Sequence, residues 1–202
     1  MRYLIVTPYI CGALSDIIRG EKFDGIVCAD ASYDIATGAG LVPDIVIGDF
    51  DHGSVPDAKI VRVPCEKDDT DTMLCIKHAI KMGADEILIA GGIGGRLDHT
   101  VANLQSLKYA LDNGSKAFLR DGDNEAFLIE KGAKITRRDG FYLSLFAFGG
   151  KCDGVSISGT KYVLSGASLD TSFPLGVSNE ITADYASVEV KSGILLAILS
   201  RK

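Results

Sequence analysis

From residue 3 to residue 119 the chain alternates between strand-length apolar runs and helix-length amphipathic stretches, which restricts its fold more than any other feature. The apolar runs lie at 3–7, 25–29, 44–47, 59–63, 86–90 and 117–119. Two of the helical stretches between them are well marked. TDTMLCIKHAIKMG places Met73, Ile76 and Ile80 on one face and stops at Gly83. LDHTVANLQSLKYALDNG places Val101, Leu104, Leu107 and Leu111 on one face and closes with Asn113 and Gly114. Strands that alternate with helices form parallel βαβ units, whose sheet must be covered on both faces. Near residue 125 the pattern changes. Short apolar or alternating runs follow at 126–130, 142–148, 155–157, 162–164, 186–190 and 194–199, with no helix-length amphipathic stretch among them. The predicted fold class is α/β: a Rossmann-like parallel sheet with helices on both faces over residues 1–125, then a small all-β sandwich over 126–202.

Composition removes several function classes. A length of 202 residues with 47% hydrophobic and 24% charged side chains suits a globular protein with a sizeable core. No apolar run reaches the roughly 18 residues of a membrane span. The opening MRYLIVTPYICGALSD has no small-residue cleavage pattern, so a cytoplasmic protein is expected. The net charge of −6, without clustered Lys or Arg, argues against nucleic-acid binding. The five cysteines, Cys11, Cys28, Cys65, Cys75 and Cys152, are dispersed and form no C-x-x-C, which predicts reduced thiols. His52, His78 and His99 show no metal-ligand spacing either. A bound metal is therefore expected on oxygen ligands, which means Mg²⁺ or a similar hard ion.

Three acid-bearing segments each follow a predicted strand. In DIVIGDFDHGS (residues 44–54), Asp49 and Asp51 are one residue apart and share a face if the chain is extended. Two carboxylates so placed repel unless a cation or water lies between them. EKDDTD supplies Asp68, Asp69 and Asp71 and opens a helix; GGIGGRLDH supplies Asp98 and opens the next. In open parallel sheets ligands bind beyond the carboxyl ends of the strands, so the three segments face one crevice. Gly91, Gly92, Gly94 and Gly95 let backbone N–H groups approach a phosphate, and Arg96 offers a forked cation to its oxygens. Each piece also has an ordinary structural explanation: a tight turn, helix caps in KDDTD, an Arg96–Asp98 pair. Their collection at one sheet edge favours a metal–polyphosphate site. No nucleophile set and no Gly-Lys-Ser/Thr loop is present, which leaves chemistry by positioning and electrostatics.

These ordered segments resemble the thiamine pyrophosphokinase family. The resemblance rests on PDIVIGDFD at 43–51, KDDTD at 67–71 and GGIGGRLDHTVANL at 91–104. Asn124, GTKYVL at 159–164 and GVSNE at 176–180 extend it over nearly the whole chain. It implies Mg²⁺-dependent transfer of a pyrophosphoryl group from ATP to the hydroxyl of thiamine, giving thiamine diphosphate and AMP. It also implies a homodimer with thiamine near the subunit interface. By the same resemblance Asp49, Asp51, Asp71 and Asp98 are the metal and catalytic acids. Asp30, Asp68, Thr70, Gly94, Gly95 and Arg96 hold ATP, and Ser178 and Asn179 contact thiamine. Tyr162 lies near its cationic ring. The sequence departs from the family pattern at His52, where the family has Ser, and at Ala31 and Ser32, where it has two glycines. Three rival readings are a pyrophosphokinase acting on another alcohol such as a hydroxymethylpterin, a non-catalytic nucleotide- or thiamine-sensing module, and a Mg²⁺ phosphohydrolase.

Overall fold

The computed structural model describes residues 1–50, 58–64 and 68–202, which form two compact units, Met1–Asp123 and Asn124–Lys202. The first carries strands β1 (Arg2–Val6), β2 (Gly25–Ala29), β3 (Ile45–Gly48), β4 (Ile60–Arg62), β5 (Glu86–Ala90) and β6 (Lys116–Arg120). They pair in parallel in the order β4-β3-β2-β1-β5-β6. The central strands are buried from end to end: Leu4, Ile5 and Val6 of β1 and Ile87, Leu88 and Ile89 of β5 have no exposure. Each such side chain contributes about 1.5–3 kcal/mol through burial, and only strands covered on both faces can be apolar at every position. Helices α1 (Leu14–Ile18), α2 (Tyr33–Gly38), α3 (Asp71–Lys81) and α4 (Leu97–Asp112) connect them. No helix among the described residues is long and apolar enough to cross a membrane.

The two long helices lie where the periodicity places them, but their buried faces are rotated. In α3 the buried residues are Thr72, Cys75, Ile76 and Ala79, and in α4 they are Asn103, Ser106, Leu107 and Ala110. Val101, expected inside, is 47% exposed. Small side chains let each helix approach closely, and the two polar ones buried on α4, a carboxamide and a hydroxyl, arrive with partners. Asn103 donates to the carbonyl of Gly92 at 2.8 Å, and Ser106 to that of Ala102 at 2.9 Å. Apolar periodicity alone cannot register a face built from small and hydrogen-bonded residues. Helices α1 and α2, with 5 and 6 residues, are too short to show a period.

The second unit is antiparallel. Its strands are β7 (Asn124–Ile129), β8 (Gly132–Thr136), β9 (Phe141–Ser158), β10 (Leu164–Leu169), β11 (Gly176–Asn179), β12 (Tyr185–Glu189) and β13 (Ser192–Arg201). Strand β9 takes part in both layers. Its first half pairs with β13 and β11, and its second half with β10 and β12. Leu143, Leu145, Val155, Ile157, Val188 and Leu195 fill the core. The runs at 142–148 and 155–157, which read as two strands, are thus one. Gly149 and Gly150 bend the strand without ending it. The run at 162–164 does not begin a strand; β10 starts at Leu164, for a reason described below.

Cys11, Cys28, Cys75 and Cys152 are free thiols, with Cys11 exposed and the others buried. Burial pushes the Cys28 thiol up to about 11, against a smaller opposing effect of its bond to Ser32. Iodoacetamide at pH 8 is expected to label Cys11 in the native protein. Cys28 should become reactive only after denaturation, and peptide mass spectrometry separates the two.

Candidate functional site

The strand order reverses between β1 and β5: from β1 the chain builds outward through β2, β3 and β4, then returns to β5 and β6 on the other side. A crevice opens at such a switch point, outside the carboxyl ends of the strands. The loops after β1 and β5 lie at this point, and the predicted acids within the described residues follow β2, β3, β4 and β5.

Asp30 comes directly after β2, in a 3-10 turn (Asp30–Ser32) with φ of 46°. A left-handed backbone is costly for a side-chain-bearing residue. Its Oδ1 is buried and has no hydrogen-bond partner among the described residues. Gly48, which ends β3, makes room for it: a Cβ there would lie 2.8 Å from both Cα and Oδ1 of Asp30. Ser32, standing where the family pattern has glycine, is fully buried and donates to the Val6 carbonyl at 2.7 Å. That bond ties the turn to the end of β1.

Asp49 leaves β3 immediately after Gly48. Phe50 follows with φ of 56°, so the chain is not extended here and simple alternation of faces does not continue past β3. Asp51 and His52 lie outside the described residues, as do Glu66 and Lys67. Asp68 is exposed. Asp69 pairs with Lys77 at 2.7 Å, a surface contact of small energetic weight. Thr70 caps α3, its Oγ1 accepting the Met73 N–H at 3.1 Å, and Asp71 begins the helix.

After β5 the turn runs through Gly91, Gly92, Gly94 and Gly95, all at positive φ. Three of its N–H groups are taken by the protein: Gly91 donates to the Arg120 carbonyl at 2.7 Å and Gly92 to the Tyr9 carbonyl at 2.7 Å. Gly94 donates to Thr100 Oγ1 at 3.0 Å. Close packing is thus one requirement that the glycines of this turn meet. A Cβ on Gly95 would meet the Tyr9 ring at 2.9 Å, and one on Gly94 would meet it at 3.2 Å. Tyr9 and Asn103 are the parts of this region that sequence reasoning missed. Arg96 precedes α4 and forks onto Asp98, Nε to Oδ1 at 3.2 Å and Nη2 to Oδ2 at 2.6 Å. This exposed pair holds the Asp98 carboxyl below its ordinary range, with the Arg96 hydrogen bond as the main cause.

In the second unit Ser178 has φ of 58° and donates its N–H to Ser144 Oγ at 3.0 Å. Tyr162 is 61% exposed, with the Lys161 ammonium 5.4 Å from its ring centre. Asn179 is buried.

Comparison with known proteins gives two consecutive family matches. Residues 20–119 match the thiamin pyrophosphokinase catalytic domain, and residues 132–195 match the thiamin pyrophosphokinase vitamin B1 binding domain. The chain belongs to the thiamine pyrophosphokinase family. A thiamine pyrophosphokinase of Bacillus subtilis is 29% identical over 172 residues, covering 80% of each chain. A crystal structure of thiamine pyrophosphokinase from Bacillus subtilis superposes with a TM-score of 0.91 at 24% identity, covering 100% of both chains. The corresponding crystal structure from Geobacillus thermodenitrificans gives 0.86 at 25% identity, covering 100% of this chain and 98% of that one. These thiamine pyrophosphokinases share the whole two-unit chain, so the β region belongs to the family fold as much as the α/β region does.

The acids of the family motifs are all carboxylates, with no thiol or imidazole spacing beside them, and the buried Oδ1 of Asp30 lacks a partner among the described residues. That donor chemistry fits a hard divalent cation. Among the described residues, however, no three His, Cys, Asp or Glu side chains gather closely enough to hold an ion. Asp51 falls outside that set, and Asp98 is turned onto Arg96.

Proposed function

We propose that this chain transfers the pyrophosphoryl group of ATP to the hydroxyl of thiamine, giving thiamine diphosphate and AMP. The observation that carries this reading is the pair of consecutive family matches across one chain, a catalytic domain over 20–119 and a vitamin B1 binding domain over 132–195. The thiamine hydroxyl oxygen bonds to the β-phosphorus of ATP, the bond from that phosphorus to the α,β-bridging oxygen breaks, and AMP leaves with the bridging oxygen. The hydroxyl proton is released in the same reaction.

Asp49, Asp51, Asp71 and Asp98 would hold Mg²⁺, which neutralises phosphate charge when bound. Asp30, Asp68, Thr70, Gly94, Gly95 and Arg96 serve the nucleotide. Arg96 has a ready route to this role: its guanidinium is 73% exposed and its ion pair with Asp98 lies at the surface, so phosphate oxygens can compete for the fork with Asp98. An acid near its ordinary pKa is a weak base, so holding the hydroxyl in line with the β-phosphorus matters more than proton abstraction.

Ser178, Asn179 and Tyr162 serve thiamine. Lys161 already stands near the Tyr162 ring, so a thiazolium takes the opposite face or displaces it. Two copies of the chain assemble with thiamine near their interface. Exposed Val163, Phe173, Leu175 and Val177 of the second unit support an apolar contact of this kind.

Incubation with Mg·ATP, with and without thiamine, tests the function. AMP is expected only when thiamine is present, with thiamine diphosphate formed in equal amount. Phosphate release without thiamine, or binding of both ligands without product, would overturn it. Light scattering on the same sample is expected to give the mass of two chains.

A further inference from the structure

We propose that Asn179 is a positioning residue for thiamine, acting through the segment that carries Tyr162 instead of touching the substrate. The proposal rests on the thiamine pyrophosphokinase reading above. Asn179 ends β11 and is 8% exposed. Its Oδ1 accepts the Tyr162 N–H at 3.0 Å and the Glu180 N–H at 2.9 Å. Its Nδ2 donates to the Tyr162 carbonyl at 2.6 Å. One buried carboxamide thus engages both backbone polar groups of a residue 17 positions away, taking the place of a partner strand. Neither amide orientation is interchangeable here, because Tyr162 presents a donor and an acceptor that must each meet their opposite.

The clamp explains why β10 begins only at Leu164: the polar groups of Tyr162 are committed elsewhere. Thr160, 6% exposed, adds a second donor to the same carbonyl at 2.8 Å, and an isolated bridge from Thr160 to Ile181 closes the loop behind it. The held backbone sends an exposed ring outward. Glu180, the next residue, meets the Lys161 ammonium at 3.7 Å, giving that cation a partner beside the ring. Three of the four hydrogen-bonding positions of the Asn179 amide are occupied in this way, which leaves little capacity for a ligand.

The experiment compares Asn179→Ala, Tyr162→Ala and the double variant with the native chain, measuring kcat and the KM for thiamine and for Mg·ATP. Loss of a buried hydrogen-bonded clamp predicts about a tenfold rise in the KM for thiamine in each single variant. The KM for Mg·ATP should stay within about twofold, and the double variant should be no worse than the poorer single, because coupled residues are non-additive. If the double variant instead shows the product of the two losses, Asn179 binds thiamine independently and the proposal fails. An unchanged KM for thiamine in Asn179→Ala also overturns it. Should that variant not fold, Asn179→Asp keeps an oxygen for both accepted bonds and sets a carboxylate oxygen, in place of the donor, against the Tyr162 carbonyl; a raised KM for thiamine, not raised further by adding Tyr162→Ala, is then expected. Native protein that makes no thiamine-dependent AMP would overturn the functional reading and this proposal with it. An active native protein with multiplicative losses overturns the proposal alone.

Discussion

Asp98→Asn protein is expected to fold like the native chain and to form AMP at a rate lower by about 10²–10³, the loss seen when one group that stabilises transition-state charge is removed. The carboxylate is 64% exposed and its partner Arg96 is 73% exposed, so folding gains little from the pair. Asp71→Asn should behave alike in turnover. It starts α3, where a negative charge favours the helix by about 0.3–1 kcal/mol, so a slight loss of stability accompanies it. A coupled assay for AMP and a denaturant titration on each variant separate the two effects. Near-native turnover in both would remove these acids from the site. In Asp98→Asn the Arg96 guanidinium also loses its charged partner, so ATP binding need not weaken in step with turnover. A fall in kcat with little rise in the KM for Mg·ATP is the expected split.

Gly91→Ala should be the most damaging single-methyl change in the first unit. Its φ of +87° already disfavours any side chain, by about 1–2 kcal/mol. The added Cβ would also lie 2.4 Å from the Tyr9 carbonyl oxygen, 2.5 Å from Thr7 Oγ1 and 2.6 Å from Ile10 Cγ1. Forcing atoms into a packed site costs a further 1–3 kcal/mol, roughly. The natural control is Gly114→Ala: φ is +81° there too, but nothing lies within 4 Å of the added carbon. Denaturant melts should place Gly91→Ala about 1–3 kcal/mol below Gly114→Ala, the difference being the packing contribution alone. Equal stabilities would show that the loop after β1 yields, and that Tyr9 does not fix the glycine turn.

Much of this architecture is legible in the sequence because burial on both faces leaves an unbroken apolar run, as in EILIA of β5 or GIVCA of β2. The family membership is legible in the ordered acidic and glycine-rich motifs. Contacts between distant segments are not. Nothing in GGIGG says that Tyr9 will lie against it, or that the Asn103 amide will reach back to Gly92. Thr70 can be read from sequence as a ligand contact or a helix cap, and only the 3.1 Å bond from Met73 reveals the cap. In the second unit, Gly149 and Gly150 look like a turn because glycine permits both a turn and a bent strand. Tyr162 looks like strand because its side chain favours one, yet a carboxamide from β11 has taken its backbone. The sequence supplies candidates with local signatures; which of them meet depends on the packing of segments far apart in the chain.

The placement of β13 has a consequence for how the protein is made. This strand pairs with β7 on one side and β9 on the other, so a strand made after all the others of the second unit is one of its interior members. The first unit has all its strands once residue 120 has left the ribosome and can fold while translation continues. The second unit must wait for residues 192–201. Until they emerge, β7 and the first half of β9 have bare edges where β13 will lie, and unpaired edges invite association with other chains. The interval of greatest risk for the second unit therefore runs from the emergence of β9 to that of β13, when the first unit is free to have folded.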